Sequence, residues 1–258
     1  MQRFFPFLLA AILAGAGSHA ATGQSGQGGP QTLPSPPRMG NTANDQGGLE
    51  SAFNIARDEK SRMQLLADEK RQMENWQAAE RFASCVVGFN ESRARQLLDQ
   101  AVEGKSGRRV DIGDFVNRNQ GCVVAVGGLD RDILRGALAE ELLTENEGTY
   151  TISAAGDAGM VRAFIASVKT PNAKTDDPFT VGQIAAECRT ALAPFQVRGL
   201  LETEPGSPGE KGALTVLREV TPQCDSFRVE GHELTPYFER AFLAQALYHW
   251  IGFSGGEG

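Results

Sequence analysis

"RGALAEELL", at Arg135–Leu143, returns near the end of this 258-residue chain as "RAFLAQALY", at Arg240–Tyr248. In both phrases leucines recur at helical spacing. Leu134, Leu138 and Leu142 form one apolar stripe, and Leu243, Leu247, Trp250 and Ile251 form another. Leu138 matches Leu243 and Leu142 matches Leu247, so the stripe itself recurs.

The match extends outward. Cys85 and Cys122 are 37 residues apart, and Cys188 and Cys224 are 36 apart. "ARQLL" at Ala94–Leu98 answers "VRGLL" at Val197–Leu201, and each Arg stands ten residues after the first Cys of its copy. Leu129 precedes Arg135 by six residues, as Leu234 precedes Arg240. Separate matches at an offset of 102 to 105 residues point to an internal duplication. That period is too long for a solenoid of short repeats and suits two small units.

The local patterns are helical. Ser51–Val87 is rich in Ala, Glu, Gln, Lys, Arg, Leu and Met and has neither Pro nor Gly. Met73, Trp76, Ala79, Ala83 and Val86 share a face. Gly88 offers an end to this helix, and Asn90 an N-cap for the next. Asp130 or Asp132 can cap the helix of the first quoted phrase. A helix opens at Thr180 and ends before Pro194, another stops before Pro222, and Pro236 suits a first turn. Between the copies, "TYTISA" reads as a strand and "GDAGMVRAFIASV" as a helix. The expected fold is mainly α. Two homologous small helical units, each with one disulfide, pack together behind a long N-terminal helix.

The start of the chain sets the compartment. Arg3, then an apolar run "FPFLLAAILAGAG", then Ser18 and Ala20 make a signal peptide over 1–20. The run is shorter than the roughly 20 residues a spanning helix needs. Residues 21–48 are Gly, Pro, Ser, Gln and Asn and read as a disordered linker. Residues 49–146 then hold the long helix and the first copy, 147–179 a connecting segment, 180–251 the second copy, and 252–258 a flexible tail. The net charge of −7 argues against nucleic acid, and no polybasic stretch addresses anionic lipid. The expected product is exported and periplasmic, with no membrane span after cleavage.

Four cysteines allow three pairings. If each copy is a unit, Cys85 pairs with Cys122 and Cys188 with Cys224. In an oxidising compartment these are structural disulfides. Zinc would want CxxC-like pairs or added histidine, and thioredoxin chemistry would want CxxC. No metal and no cofactor are implied.

Candidate sites are sparse. "GHELTP" starts like HExxH, but Pro236 stands where the second His would be. "GKSG" at Gly104–Gly107 has Asp99 where a phosphate loop needs its first Gly. "GFSGG" follows a helix and has no rigid elbow for a nucleophile. His249 sits near a helix end. Glu140 and Glu141 are adjacent, and the second copy replaces them with Gln245 and Ala246. The arginines that recur, Arg95 with Arg198 and Arg135 with Arg240, have two readings. They brace the core edge, or they bind an anionic ligand between the copies. The aromatics of "YFERAFLAQALYHWIGF" either seal the core or expose a partner surface.

The repeated "Cys … LL … Cys … RGALAEALY" plan resembles a group of uncharacterised exported proteins of alphaproteobacteria, over roughly Arg81 to Trp250. The resemblance implies the fold plan and carries no activity. Two function classes follow. One is a non-enzymatic binding or scaffold module for a protein or cell-envelope component. The other is a cell-envelope hydrolase with an acidic site between the repeats. Because no nucleophile–base or metal constellation is present, the sequence favours the first.

Overall fold

The computed structural model describes residues 68–103, 111–122, 129–146, 151–152, 154–168, 177–227 and 234–255, with backbone alone at 100–103. The expected signal peptide, linker and helix start over 1–67, and residues 104–110, 123–128, 147–150, 153, 169–176, 228–233 and 256–258, lie outside them. The described residues form eight α-helices and two short 3-10 turns, with no strand among them.

Helix α1 runs Glu69–Glu103. Asp68 opens it, accepting the Arg71 amide at 3.1 Å. Trp76, Ala79, Ala83 and Val86 are buried along one stripe, while Met73 at its outer end is exposed. The expected break at Gly88 falls two residues later. Asn90 leaves helical geometry (φ −155°, ψ 53°), and the helix resumes beyond it. The Ser92 hydroxyl donates to Asn90 Oδ1 at 3.4 Å, the kind of local bond that competes with a helix.

Helix α2, Ile112–Arg118, is capped by Asp111 and buries Phe115 and Val116. A 3-10 turn, Gln120–Cys122, follows. Helix α3, Arg131–Glu145, carries the first quoted phrase and is capped by Asp130, which accepts from the Asp132 and Ile133 amides. Thr151, Ile152 and Ala154 are irregular, so the described part of "TYTISA" is no strand. Helix α4, Ala158–Val168, lies in the connecting segment.

Four more helices follow the connecting segment. Helix α5, Pro178–Leu192, is capped by Asp177. Ala193 breaks the chain at φ −142°, ψ 55°, and helix α6, Pro194–Leu201, begins at once. Proline disfavours helical geometry in the residue before it, which explains this break. Helix α7, Pro208–Val220, is capped by Ser207. A 3-10 turn, Pro222–Ser226, leads on to helix α8, Pro236–Gly255. α8 runs past residue 251 because Phe253 packs on Phe164 at 5.4 Å.

The disulfides join Cys85 to Cys122 and Cys188 to Cys224, with Cα–Cα distances of 5.5 and 5.8 Å. Each ties a long helix to the 3-10 turn that precedes the last helix of its half. Closing a loop of this length removes about 4 kcal/mol of unfolded-chain freedom.

α3 packs against α1 and α8, α8 against α5, α5 against α4, and α4 back against α1. One continuous core runs through α1, α3, α5 and α8. The two quoted phrases meet in the middle, where Gly136 faces Ala241. A Cβ at Gly136 would overlap the Ala241 Cα, far closer than any van der Waals contact. The aromatics of α8 serve this interior: Tyr237, Phe238, Phe242 and Trp250 are buried.

The crossing yields a test with two signs. Alanine is the better helix former by about 1 kcal/mol. Gly212→Ala, in an exposed turn of α7 with open space around it, therefore raises stability by up to about that amount. Gly136→Ala lowers it by about 2 kcal/mol, because overpacking the crossing outweighs propensity. Urea denaturation of the two variants measures both.

Candidate functional site

The four recurring arginines divide into two kinds. Arg95 and Arg198 bond along their own helices. Arg95 donates to Glu91 Oε1 from Nε (2.9 Å) and Nη2 (2.5 Å), and Arg198 Nε donates to Glu202 Oε1 at 3.0 Å. Exposed pairs of this kind contribute little. Arg135 and Arg240 instead reach across the fold. Arg135 Nη2 donates to the Leu97 carbonyl at 2.8 Å. Arg240 Nη1 lies 3.4 Å from the Leu200 carbonyl, and its Nη2 donates to Leu201 at 2.7 Å. Leu97 and Leu200 are counterparts in "ARQLL" and "VRGLL", so each late Arg binds the Leu–Leu stretch of its own half.

Arg240 does more. It is 1% exposed, and so is nearly cut off from water. Its Nε and Nη2 donate to the two oxygens of Glu140 in α3, at 2.9 and 2.6 Å. Nη1 donates to Glu210 Oε1 in α7 at 2.9 Å. The guanidinium also stands over the Trp76 ring of α1, 5.5 Å from its centre. One side chain thus joins α1, α3, α6, α7 and α8. Burial holds the Glu140 carboxyl above the usual range, against the pull of Arg240.

The neighbouring residue carries a second network. Glu239 accepts from Arg189 Nη1 at 3.3 Å and pairs closely with Arg218, and Arg189 Nη2 donates to Asp225 at 2.7 Å. Glu239, Glu210, Arg189 and Arg218 were not among the sequence candidates. Their one signal was adjacent opposite charges, Glu239–Arg240, inside an otherwise apolar helix.

Two buried titratable groups stand apart from these pairs. His249 Nε2 lies 3.3 Å from the Leu98 carbonyl. Burial lowers the His249 pKa to about 4, with the Leu98 bond opposing. Glu187, 2% exposed, takes one bond from Gln183 Nε2 at 3.2 Å. Burial raises its pKa to about 8.

In chemical terms this is a brace. The two carboxylates between the halves, Glu140 and Glu210, both sit on Arg240, so neither faces a second acid across a substrate-sized gap. No group of three or more His, Cys, Asp or Glu among the described residues is placed to hold a metal ion. None of the described helices is long and apolar enough to cross a membrane.

His249 and Glu187 set opposing pH dependences. His249 binds its proton more weakly folded than unfolded, so its contribution is complete above pH 6.5 and lost as pH falls to about 4. Glu187 binds its proton more tightly folded, so its contribution is complete below pH 4.5 and lost as pH rises to about 8. Between pH 4.5 and 6.5 the two slopes cancel. Relative to wild type, Glu187→Gln makes stability rise with pH in that window by about 1.4 kcal/mol per unit, and His249→Gln makes it fall by as much. Urea midpoints at pH 5 and 6 read both.

No protein-family model, curated protein or solved structure matches this chain.

Proposed function

We propose that this chain is an exported, periplasmic binding or scaffold module, made by duplicating one helical unit, that engages a protein or cell-envelope component. The observation that carries this is a division of labour among side chains. The arginines and acids that chemistry would use are bonded to one another inside the fold. Large apolar side chains stand in solvent instead. Phe89 is 88% exposed and Phe195 59%, and Val216 and Val220 are each about half exposed. Phe195 belongs to α6 and the two valines to one face of α7, helices that pack on each other.

Export is supported by the basic, apolar, small-residue start of the chain and by two disulfides, which persist in oxidising compartments. Duplication is supported by features that recur at one offset. Asn90 and Ala193 break their helices with nearly the same backbone angles, 103 residues apart. The bridges Cys85–Cys122 and Cys188–Cys224 correspond. So do the bonds from Arg135 to Leu97 and from Arg240 to Leu200. The hydrolase reading is weaker, because its acids would first have to leave Arg240.

The test uses the mature chain with a photo-crosslinking side chain at Val216, and separately at the exposed polar position Glu219, in intact cells. Discrete adducts at Val216, reduced at least tenfold by Phe195→Ser with the fold unchanged, are expected. Equal adducts at both positions would contradict a binding face. So would hydrolysis of envelope material that stops on Glu140→Gln.

A further inference from the structure

Helices α5 and α8 run parallel with a steady register. Phe179 meets Phe238 edge-on at 5.2 Å. A Cβ at Gly182 would lie 3.5 Å from Phe242 Cε2. Ala191 and Trp250 share one small core cluster with Val161, Phe164 and Val168 of α4. The residue offset stays at 59 or 60 through these pairs. Glu187 therefore lies level with Ala246, one turn before the Ala191–Trp250 contact.

Along this short length of seam, three buried polar atoms have no hydrogen-bond partner among the described residues: Glu187 Oε2, Thr190 Oγ1 and Trp250 Nε1. Glu187 is 2% exposed, and Thr190 and Trp250 are fully buried. Residues 187, 190 and 191 share a face of α5. Of the other buried acids among the described residues, Glu210 and Glu239 hold an arginine and Asp130 accepts two backbone amides. Glu187 has only Gln183. Nor can the indole turn away to find another acceptor. Gly156 is pinned to the Ala191 carbonyl at 2.8 Å, and a Cβ there would stand 2.9 Å from Trp250 Cη2. The apolar side of α4 closes the seam from outside.

Buried polar groups in folded proteins bond to protein or to ordered water. We infer that the α5–α8 seam beneath α4 is a buried hydration site in which one water is shared by Glu187, Thr190 and Trp250. The chemistry fits a molecule with two donors and two acceptors. The indole only donates, so the water accepts from Trp250 Nε1. It also accepts from the protonated Glu187 Oε2, whose other oxygen already accepts from Gln183, and it donates to Thr190 Oγ1, making the three bonds usual for an internal water. A charged ligand does not suit the site. Glu187 keeps its proton near neutral pH, and the walls are apolar.

Two measurements on the full mature chain decide this. A high-resolution crystal structure should place a water within hydrogen-bond distance of Trp250 Nε1 and of Glu187 or Thr190. In solution, the Trp250 indole proton should give a water cross-peak with the sign of a long-lived complex. The chain has two tryptophans, so either Trp76→Phe or Trp250→Phe, whichever folds, assigns the resonance. A dry seam, a protein acceptor on the indole, or an indole without a water cross-peak would overturn the inference.

Discussion

A guanidinium enclosed in protein fixes this fold. Arg240 is removed from water, and its guanidinium bonds run to other helices: two carboxylates and two carbonyls. A buried charge is tolerable only when its partners are in place. α3 must therefore bring Glu140 to the seam, α7 must bring Glu210, and α6 must end beside α8. The tight crossing at Gly136 and Ala241 follows from the same demand. So does the position of Trp76, whose ring covers the guanidinium from α1. The disulfides act chiefly by limiting the unfolded chain.

Under the proposed duplication the two halves have divided a shared device. Arg135 keeps the carbonyl bond that Arg240 also makes. The charged exchange runs one way only, from Arg240 in the second half to Glu140 in the first. The counterpart of Glu140 is Gln245, which donates to the Asp132 and Ala241 carbonyls and carries no charge. Among the described residues, the pair shown between the halves is Arg240–Glu140, where strict symmetry would give a second at the Gln245 position. An uncharged Gln245 spares that position the desolvation of a buried ion pair, which often exceeds its Coulombic gain.

Much of this was legible in local chemistry. The cap at Asp130, the stops before Pro194 and Pro222, the leucine stripes and the cysteine spacing are short-range signals, and each lies where the sequence places it. Other features depend on partners far along the chain. Arg240 meets residues 100 and 30 positions away, and nothing near Arg240 or Glu210 announces the pair. α1 breaks at Asn90, two residues after Gly88. "TYTISA" has strand-like composition but no neighbouring strand among the described residues. The α8 aromatics turned inward because α3, α5 and α4 surround that helix. Among the described residues, large exposed apolar side chains stand on α1 (Met73, Phe89), α4 (Met160), α6 (Phe195) and α7 (Val216, Val220).

Equilibrium urea unfolding of Arg240→Met tests the central claim most directly. Methionine fills much of the space while stranding Glu210, which is fully buried, and Glu140. The expected result is one cooperative transition with stability lower by about 3–5 kcal/mol, the cost of breaking a buried pair from one side. A loss below about 1 kcal/mol, in the range of exposed pairs, would contradict it, as would two transitions in which the halves unfold apart.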